Sequence, residues 1–380
     1  MTMNKIVMVD LKGQYEKIKP QIDNAIAEVI SSTAFINGPA VAEFASALKE
    51  YTGAGYIIPC ANGTDALQIA LMALGLERGD EVLVPSFTYV ASAEVIALLG
   101  LTPVMVDVDR DTFNVSMDSL RKGYSERTKA IIPVHLYGHS CDMEPIMEFA
   151  KEKGLYVVED NAQALGADYV FSDGIVRKCG TIGDIGTTSF FPSKNLGCYG
   201  DGGAIFTNDG DLANRLKMIA NHGQSVKYTH TVIGCNSRLD SLQAAILNVK
   251  LKYLEDYSAS RRKAAEYYNK GLSGIGQLEL PVEKSYTKAV YHQYTIKVCD
   301  GSRDALKEFL SERGIPSMIY YPIPLQRQQA FEGVAVERVT LSNAEILSSQ
   351  VLSLPMHTEL DSKVQDYIIE SIKEFYNGRK

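Results

Sequence analysis

Ser189-Phe-Phe-Pro-Ser-Lys-Asn-Leu-Gly-Cys-Tyr-Gly-Asp-Gly-Gly203 is the stretch around which the rest of the chain reads. It holds one lysine, Lys194. Two phenylalanines and a proline precede it and Gly197, Gly200, Gly202 and Gly203 follow, so the ammonium is expected in a tight, partly apolar pocket. Desolvation disfavours a charged lysine and lowers its pKa, which makes the amine nucleophilic enough to form a Schiff base with a carbonyl. The alternative is a surface lysine at the edge of a glycine-rich turn. The stretch alone does not separate the two, so the choice falls to the residues around it.

Upstream, the apolar run 155–158 ends in Glu159-Asp160-Asn-Ala-Gln163. Acidic groups are rarely buried unless paired, so one of the two is expected to have a cationic partner. Capping of the next helix, or pairing with an arginine, is the structural alternative. Earlier, residues 56–59 read as a strand followed by Cys-Ala-Asn-Gly-Thr-Asp-Ala-Leu and an amphipathic helix to Leu74. Gly63, Thr64 and Asp65 would lie in that helix's first turn, where free N–H groups and the macrodipole favour a phosphate. Thr64 or Asp65 could equally be an ordinary N-cap.

Further strands are expected at 81–85, 103–107 and 130–134, with a helix after Ser-Phe-Thr-Tyr-Val-Ala-Ser. This alternation of short β runs and helical stretches marks an α/β domain with a mostly parallel sheet. Ligands gather at the carboxyl ends of such strands, which singles out Asn62, Thr64, Tyr89, Asp107, His135 and the Glu159-Asp160 pair. Residues 20–52 read as helix, turn at Asn37-Gly38-Pro39, and helix. A hairpin or loop is expected at 168–188, a strand at 204–207, a helix at 211–221, and at 223–236 a surface excursion that could reach a partner subunit. From Asp240 one helical pattern runs towards Leu272. Strand 291–298, helix 303–313, strand 315–321 and helices 342–352 and 362–376 follow, with Ser342 and Glu345 as a capping box.

At 380 residues the chain is longer than one core usually supports. The pattern divides it into a large α/β domain with an N-terminal helical arm, 1–250, and a smaller α+β domain, 251–380. The composition, 46% hydrophobic and 22% charged, is that of a soluble globular protein. A net charge of −8 argues against a nucleic-acid surface but leaves local basic pockets open. The first residues lack a signal peptide's apolar core, and the run 95–106 carries Gly100, Thr102 and Pro103 and is too short to span a bilayer, so a cytoplasmic protein is expected. Six cysteines without a Cys-x-x-Cys pair read as free, mostly buried thiols. His135, His139 and Cys141 have a metal-like spacing, but the sequence between and before them reads as strand into loop, so no metal is expected.

Taken together, Cys-Ala-Asn-Gly-Thr-Asp-Ala-Leu, Val-Glu-Asp-Asn-Ala-Gln-Ala-Leu-Gly-Ala, the Lys194 stretch and Asn-Ser-Arg-Leu-Asp resemble the pyridoxal-phosphate sugar aminotransferases. That family aminates keto groups on nucleotide-linked sugars and has the aspartate-aminotransferase fold, fold type I. The resemblance covers essentially the whole chain. It implies that Lys194 forms the Schiff base with pyridoxal 5'-phosphate and that Asp160 faces the pyridine nitrogen, keeping it protonated and the ring an electron sink. It also places Gln163 near the ring hydroxyl, Tyr89 on the ring face, and Gly63, Thr64 and Ser189 at the phosphate. Asn236 matches a residue that reaches the phosphate from the neighbouring subunit, so a homodimer with shared sites is implied.

The implied reaction is ping-pong. L-glutamate leaves as 2-oxoglutarate, pyridoxamine 5'-phosphate carries the amine, and a keto sugar takes it. The segment after Lys194 resembles the branch acting at C3 of the sugar. Within it, aminotransferases for UDP-2-acetamido-2-deoxy-3-oxo-D-glucuronate, used in bacterial O-antigen assembly, are the nearest match. Arg238 is then a partner for the uronate carboxylate, or serves a structural or cofactor role, and Tyr321 lines the sugar site. The alternatives are a dTDP-3-keto-6-deoxyhexose, a C4-keto sugar, or a non-catalytic regulator that binds the cofactor. Asn161 departs from the family, where many members have a small residue.

Overall fold

The computed structural model describes residues 5–378. Helices α1 (Leu11–Ser32) and α2 (Pro39–Thr52) form the N-terminal arm. α1 starts well before residue 20 because Asp10 caps it, accepting from Gly13 N at 2.8 Å, and Pro20 is carried inside the helix. Next come β1 (Tyr56–Cys60), α3 (Gly63–Leu74), β2 (Glu81–Pro85), α4 (Ala91–Leu98), β3 (Thr102–Val106), α5 (Met117–Gly123), β4 (Thr128–Ile131), α6 (Met143–Lys153) and β5 (Tyr156–Asp160). The hairpin β6 (Asp168–Val170) and β7 (Val176–Lys178) leads to β8 (Ile185–Ser189), β9 (Gly203–Thr207) and α7 (Gly210–Ala220). A small hairpin, β10 (Gln224–Val226) and β11 (Thr229–His230), precedes α8 (Ser241–Leu251) and α9 (Leu254–Leu272). The chain ends with β12 (Leu278–Glu279), β13 (Thr287–Lys288), β14 (Tyr294–Val298), α10 (Arg303–Glu312), β15 (Val336–Glu337), α11 (Ser342–Gln350), β16 (Val351–Leu354) and α12 (Ser362–Asn377).

The main sheet has eight strands in the order β1-β9-β8-β5-β4-β2-β3-β15. All its pairings are parallel except those of β9 with β1 and β8. Because side chains alternate along a strand, the two faces bury different residues. Val82, Val84, Val158 and Ile185 share a core with α3, α4 and α7. Leu83, Val104, Val106, Ile131 and Val157 share another with α5 and α6. A separate antiparallel sheet, β12-β14-β16, packs Tyr294, Ile296 and Leu352 against α9, α10 and α12.

Three expectations fail locally. The helix expected from Asp240 breaks at Lys252-Tyr253 into α8 and α9. Residues 315–321 make a single bridge, Met318 to Ser353, instead of a strand. Pro316 and Pro322 bound this segment and cannot donate to a ladder, and β16 pairs with β14. The capping box of α11 is replaced by Asp107, whose carboxylate accepts from Asn343 N at 3.0 Å and Ala344 N at 2.9 Å. A charged acceptor at the end of β3 thus does what Ser342 and Glu345 were expected to do. Among the described residues no helix is long and apolar enough to cross a membrane.

Candidate active site

The carboxyl ends of β1, β2, β5 and β8 open on a cavity of about 530 Å³. Gly63, Thr64, Tyr89, Asp160, Gln163, Ser189, Lys194 and Tyr321 all line it. The phosphate-suited corner is the start of α3. Its cap is Asn62, neither Thr64 nor Asp65: the Asn62 side chain accepts from Asp65 N at 2.8 Å. The N–H groups of Gly63 and Thr64, at the first turn, therefore have no intrahelical acceptor. Gly63 also has no room for a side chain, since a Cβ there would lie 2.7 Å from Ser189 Cβ.

Lys194 lies in a tightly folded loop. Its N–H donates to Phe191 O at 2.8 Å, and a Cβ on Gly197 would meet Pro192 O at 2.3 Å, so the turn requires glycine. Burial pushes the ammonium down to about pKa 8, opposed by the charge of Asp160. The neighbouring Asn195 donates to Val290 O at 3.0 Å and turns its Oδ1 to His292 Nδ1 at 3.3 Å. His292 also lines the cavity. Its imidazole is held neutral, first by burial and then by the charges of Lys194 and Arg261.

Asp160 is 5% exposed. Its carboxylate accepts from Ser92 Oγ at 2.7 Å and Ala162 N at 3.1 Å. Glu159 lies on the other face of β5 and is fully enclosed. It accepts from Gly180 N, Ile182 N and Gly183 N at 2.7–2.8 Å and from His135 Nε2 at 2.9 Å. His135 Nδ1 accepts from Cys141 N, so both ring nitrogens are engaged within the protein. The cation facing the acidic pair is thus Lys194, on the Asp160 side. Asn161 donates to Cys179 O at 2.8 Å, beside the loop that wraps Glu159.

Gln163 is oriented by Tyr137, whose N–H donates to Gln163 Oε1 at 2.8 Å. Gln163 Nε2 then donates to Tyr321 OH at 3.1 Å. Burial keeps the Tyr321 phenol protonated, and the nearby Asp160 charge adds to that effect. Having accepted from Gln163, the hydroxyl can direct its own proton into the cavity. Tyr89 is 56% exposed, with its ring 6.2 Å from that of Tyr321.

Asn236 and Arg238 do not line this chain's cavity. Asn236 is exposed and bridges Asn221, and Arg238 is half-buried. Between them, Ser237 Oγ accepts from Ala61 N at 3.1 Å and ties the segment to the end of β1. The preceding excursion exposes Val226, Tyr228 and Ile233. Sequence reasoning missed Ser92, Thr88, Asn195, His292 and Tyr137. Ser92 closes the quoted run after Tyr89 and Asn195 follows Lys194, whereas Tyr137 and His292 reach the site only through the fold.

One cavity that collects an anion-ready helix start, a buried carboxylate and a desolvated amine suits pyridoxal phosphate, and with this sheet it defines a cofactor-dependent transferase of fold type I. The chain belongs to the DegT/DnrJ/EryC1/StrS aminotransferase family, matching it over residues 16–373. It is 46% identical to the UDP-2-acetamido-2-deoxy-3-oxo-D-glucuronate aminotransferase of Pseudomonas aeruginosa, across 94% of this chain and 96% of that one. It is also 46% identical to a pleiotropic regulatory protein of Geobacillus stearothermophilus, across 98% of each. Among solved structures, S. venezuelae DesV in complex with a ketimine intermediate superposes with a TM-score of 0.93 at 39% identity, covering 98% of this chain and 99% of that one. The protein is a pyridoxal-phosphate-dependent sugar aminotransferase.

Proposed function

We propose that the protein moves the amino group of L-glutamate to the C3 keto group of UDP-2-acetamido-2-deoxy-3-oxo-D-glucuronate, for surface polysaccharide such as O-antigen. The observation that carries the chemistry is Lys194, an amine tuned to about pKa 8 in the same cavity as Asp160. The choice of sugar is supported by the stretch after Lys194 and by the Pseudomonas relative. Bound pyridoxal phosphate supplies the electron sink for proton removal at the donor carbon. Gly63, Thr64 and Ser189 would hold its phosphate, Tyr89 would cover the ring face, Gln163 would lie near the ring hydroxyl, and Asp160 would face the ring nitrogen. Lys194 Nζ, with a useful unprotonated fraction near neutral pH, takes a proton from the donor and returns it. Tyr321 OH offers its proton to the sugar.

The site is completed in a homodimer. Among the described residues that line the cavity, Lys194 is the sole lysine or arginine, beside the acidic Asp160 and Asp201. The acceptor brings a diphosphate and a uronate, and the donor two carboxylates, so further cations have to come from outside this chain's wall. Asn236 and Arg238 stand beside an exposed apolar excursion and reach the neighbouring cavity, Asn236 at the phosphate and Arg238 at the uronate.

The test is a panel of keto sugar nucleotides with L-glutamate as donor. Conversion of the UDP-3-oxo-glucuronate well above a dTDP-3-keto-6-deoxyhexose and a C4-keto sugar is expected, and preference for either of those overturns the substrate. A yellow holoprotein whose absorbance stays unchanged on adding glutamate would favour a regulator, the role named for the Geobacillus relative.

A further inference from the structure

Behind Asp160 runs a line of two hydroxyls, from Thr88 at the cavity wall to Ser92. Ser92 is fully enclosed and donates to Asp160 Oδ2 at 2.7 Å. Its proton is spent there, so the 3.4 Å contact between Thr88 Oγ1 and Ser92 Oγ has Thr88 as donor. The line therefore reads Thr88 to Ser92 to Asp160, and Thr88 is itself only 2% exposed. Ser92 stands in the first turn of α4, and its N–H donates to Tyr89 O at 3.3 Å. The short connection from β2 to α4 thus presents Tyr89 to the cavity and braces Asp160 from behind.

Hydrogen bonds donated to a carboxylate stabilise its charged form, and in a dry interior each counts for more than in water. A buried carboxylate facing a protonated ring nitrogen has a competitor, the neutral pair in which the proton has crossed to the carboxylate. Each donor on the carboxylate biases that balance towards the charged pair. Ala162 N supplies one donor from the backbone, and Ser92 supplies the other from a side chain.

We propose that Ser92 is a positioning residue for amino transfer: it fixes the plane of the Asp160 carboxylate and holds the negative charge there, so that the cofactor's ring nitrogen keeps its proton. The inference rests on the proposed placing of Asp160 opposite that nitrogen. Loss of the Ser92 hydroxyl lets the proton pass from the ring nitrogen to an Asp160 oxygen, with no other bond made or broken.

The test uses holoprotein reconstituted with pyridoxal phosphate carrying 15N in the ring, read by NMR, together with the single-turnover rate with L-glutamate. Ser92→Ala is expected to move the ring resonance towards the unprotonated value and to slow the single turnover by roughly 10-fold, with donor affinity nearly unchanged. Ser92→Thr, which keeps the hydroxyl, is expected to restore both. Asp160→Asn is expected to move the resonance further than Ser92→Ala. If Asp160→Asn moves it and Ser92→Ala leaves it at the wild-type value, the hydroxyl only satisfies a buried carboxylate and the inference is overturned. If neither moves it, the placing of Asp160 is wrong and the inference falls with it.

Discussion

Glu159 and Asp160 are neighbours at the end of β5, yet they serve opposite sides of the sheet. Glu159 is enclosed and accepts from three backbone N–H groups and His135. Asp160 accepts from Ser92 and Ala162 and shares a cavity with Lys194. A strand sends successive side chains to opposite faces, so one residue of register separates a scaffold acid from a cavity acid. Asn161 returns to the Glu159 side and holds the same loop through Cys179 O. Lys194 and Lys250 differ in the same way. Burial pushes both down to about pKa 8, but Lys250 donates to Gly197 O and lies 5.3 Å from the Tyr199 ring centroid, whereas Lys194 lines the cavity.

The contrast predicts opposite phenotypes on the two sides. Lys194→Ala is expected to cut amino transfer by roughly 10³-fold or more with little change in thermal stability, because the amine proposed to transfer the proton is lost from a cavity wall. Asp160→Asn is expected to lower turnover by about 10²-fold or more, again with near-native melting. Glu159→Ala should do the reverse, costing about 3 kcal/mol or more in denaturant unfolding by stranding buried N–H donors. A Glu159 variant of native stability would show that the residue is not a scaffold acid.

Arg238→Lys is expected to reduce preference for the uronate over non-acidic keto sugars by about 10-fold, since lysine cannot reproduce the bidentate fork; equal loss on all sugars would assign Arg238 another role. In the apo protein, capture of pyridoxal phosphate should rise with a midpoint near pH 8, reporting the free Lys194 amine. Asp160→Asn should move that midpoint lower, because the carboxylate charge favours the ammonium. The folded state binds fewer protons than the unfolded chain between about 8 and 10.5, so Lys194 also makes the apo protein more stable as pH rises through that window.

Much of this site was legible because its residues lie just past strand ends with distinctive neighbours. The Lys194 loop, the Glu159-Asp160 pair and the start of α3 each carry a local signature of glycines, buried acid or free N–H groups. Where local reading failed, a distant residue supplied what the local one was expected to supply. Asp107 caps α11 from across the sheet, and Asn62 leaves Thr64 free by taking the cap of α3. Ser92 braces Asp160 over a separation that no spacing reveals. The pocketed setting of Lys194 also depends on residues distant in sequence, among them His292 and Tyr321, which line the same cavity from the carboxyl-terminal part of the chain.

Lys194, and not Lys250 with its similarly lowered pKa, is expected to be the amine that carries the cofactor. Borohydride reduction of the holoprotein, followed by peptide mapping by mass spectrometry, tests it directly. The adduct is expected on Lys194, absent in Lys194→Ala and retained in Lys250→Met. An adduct on Lys250, or one that persists in Lys194→Ala, would contradict it.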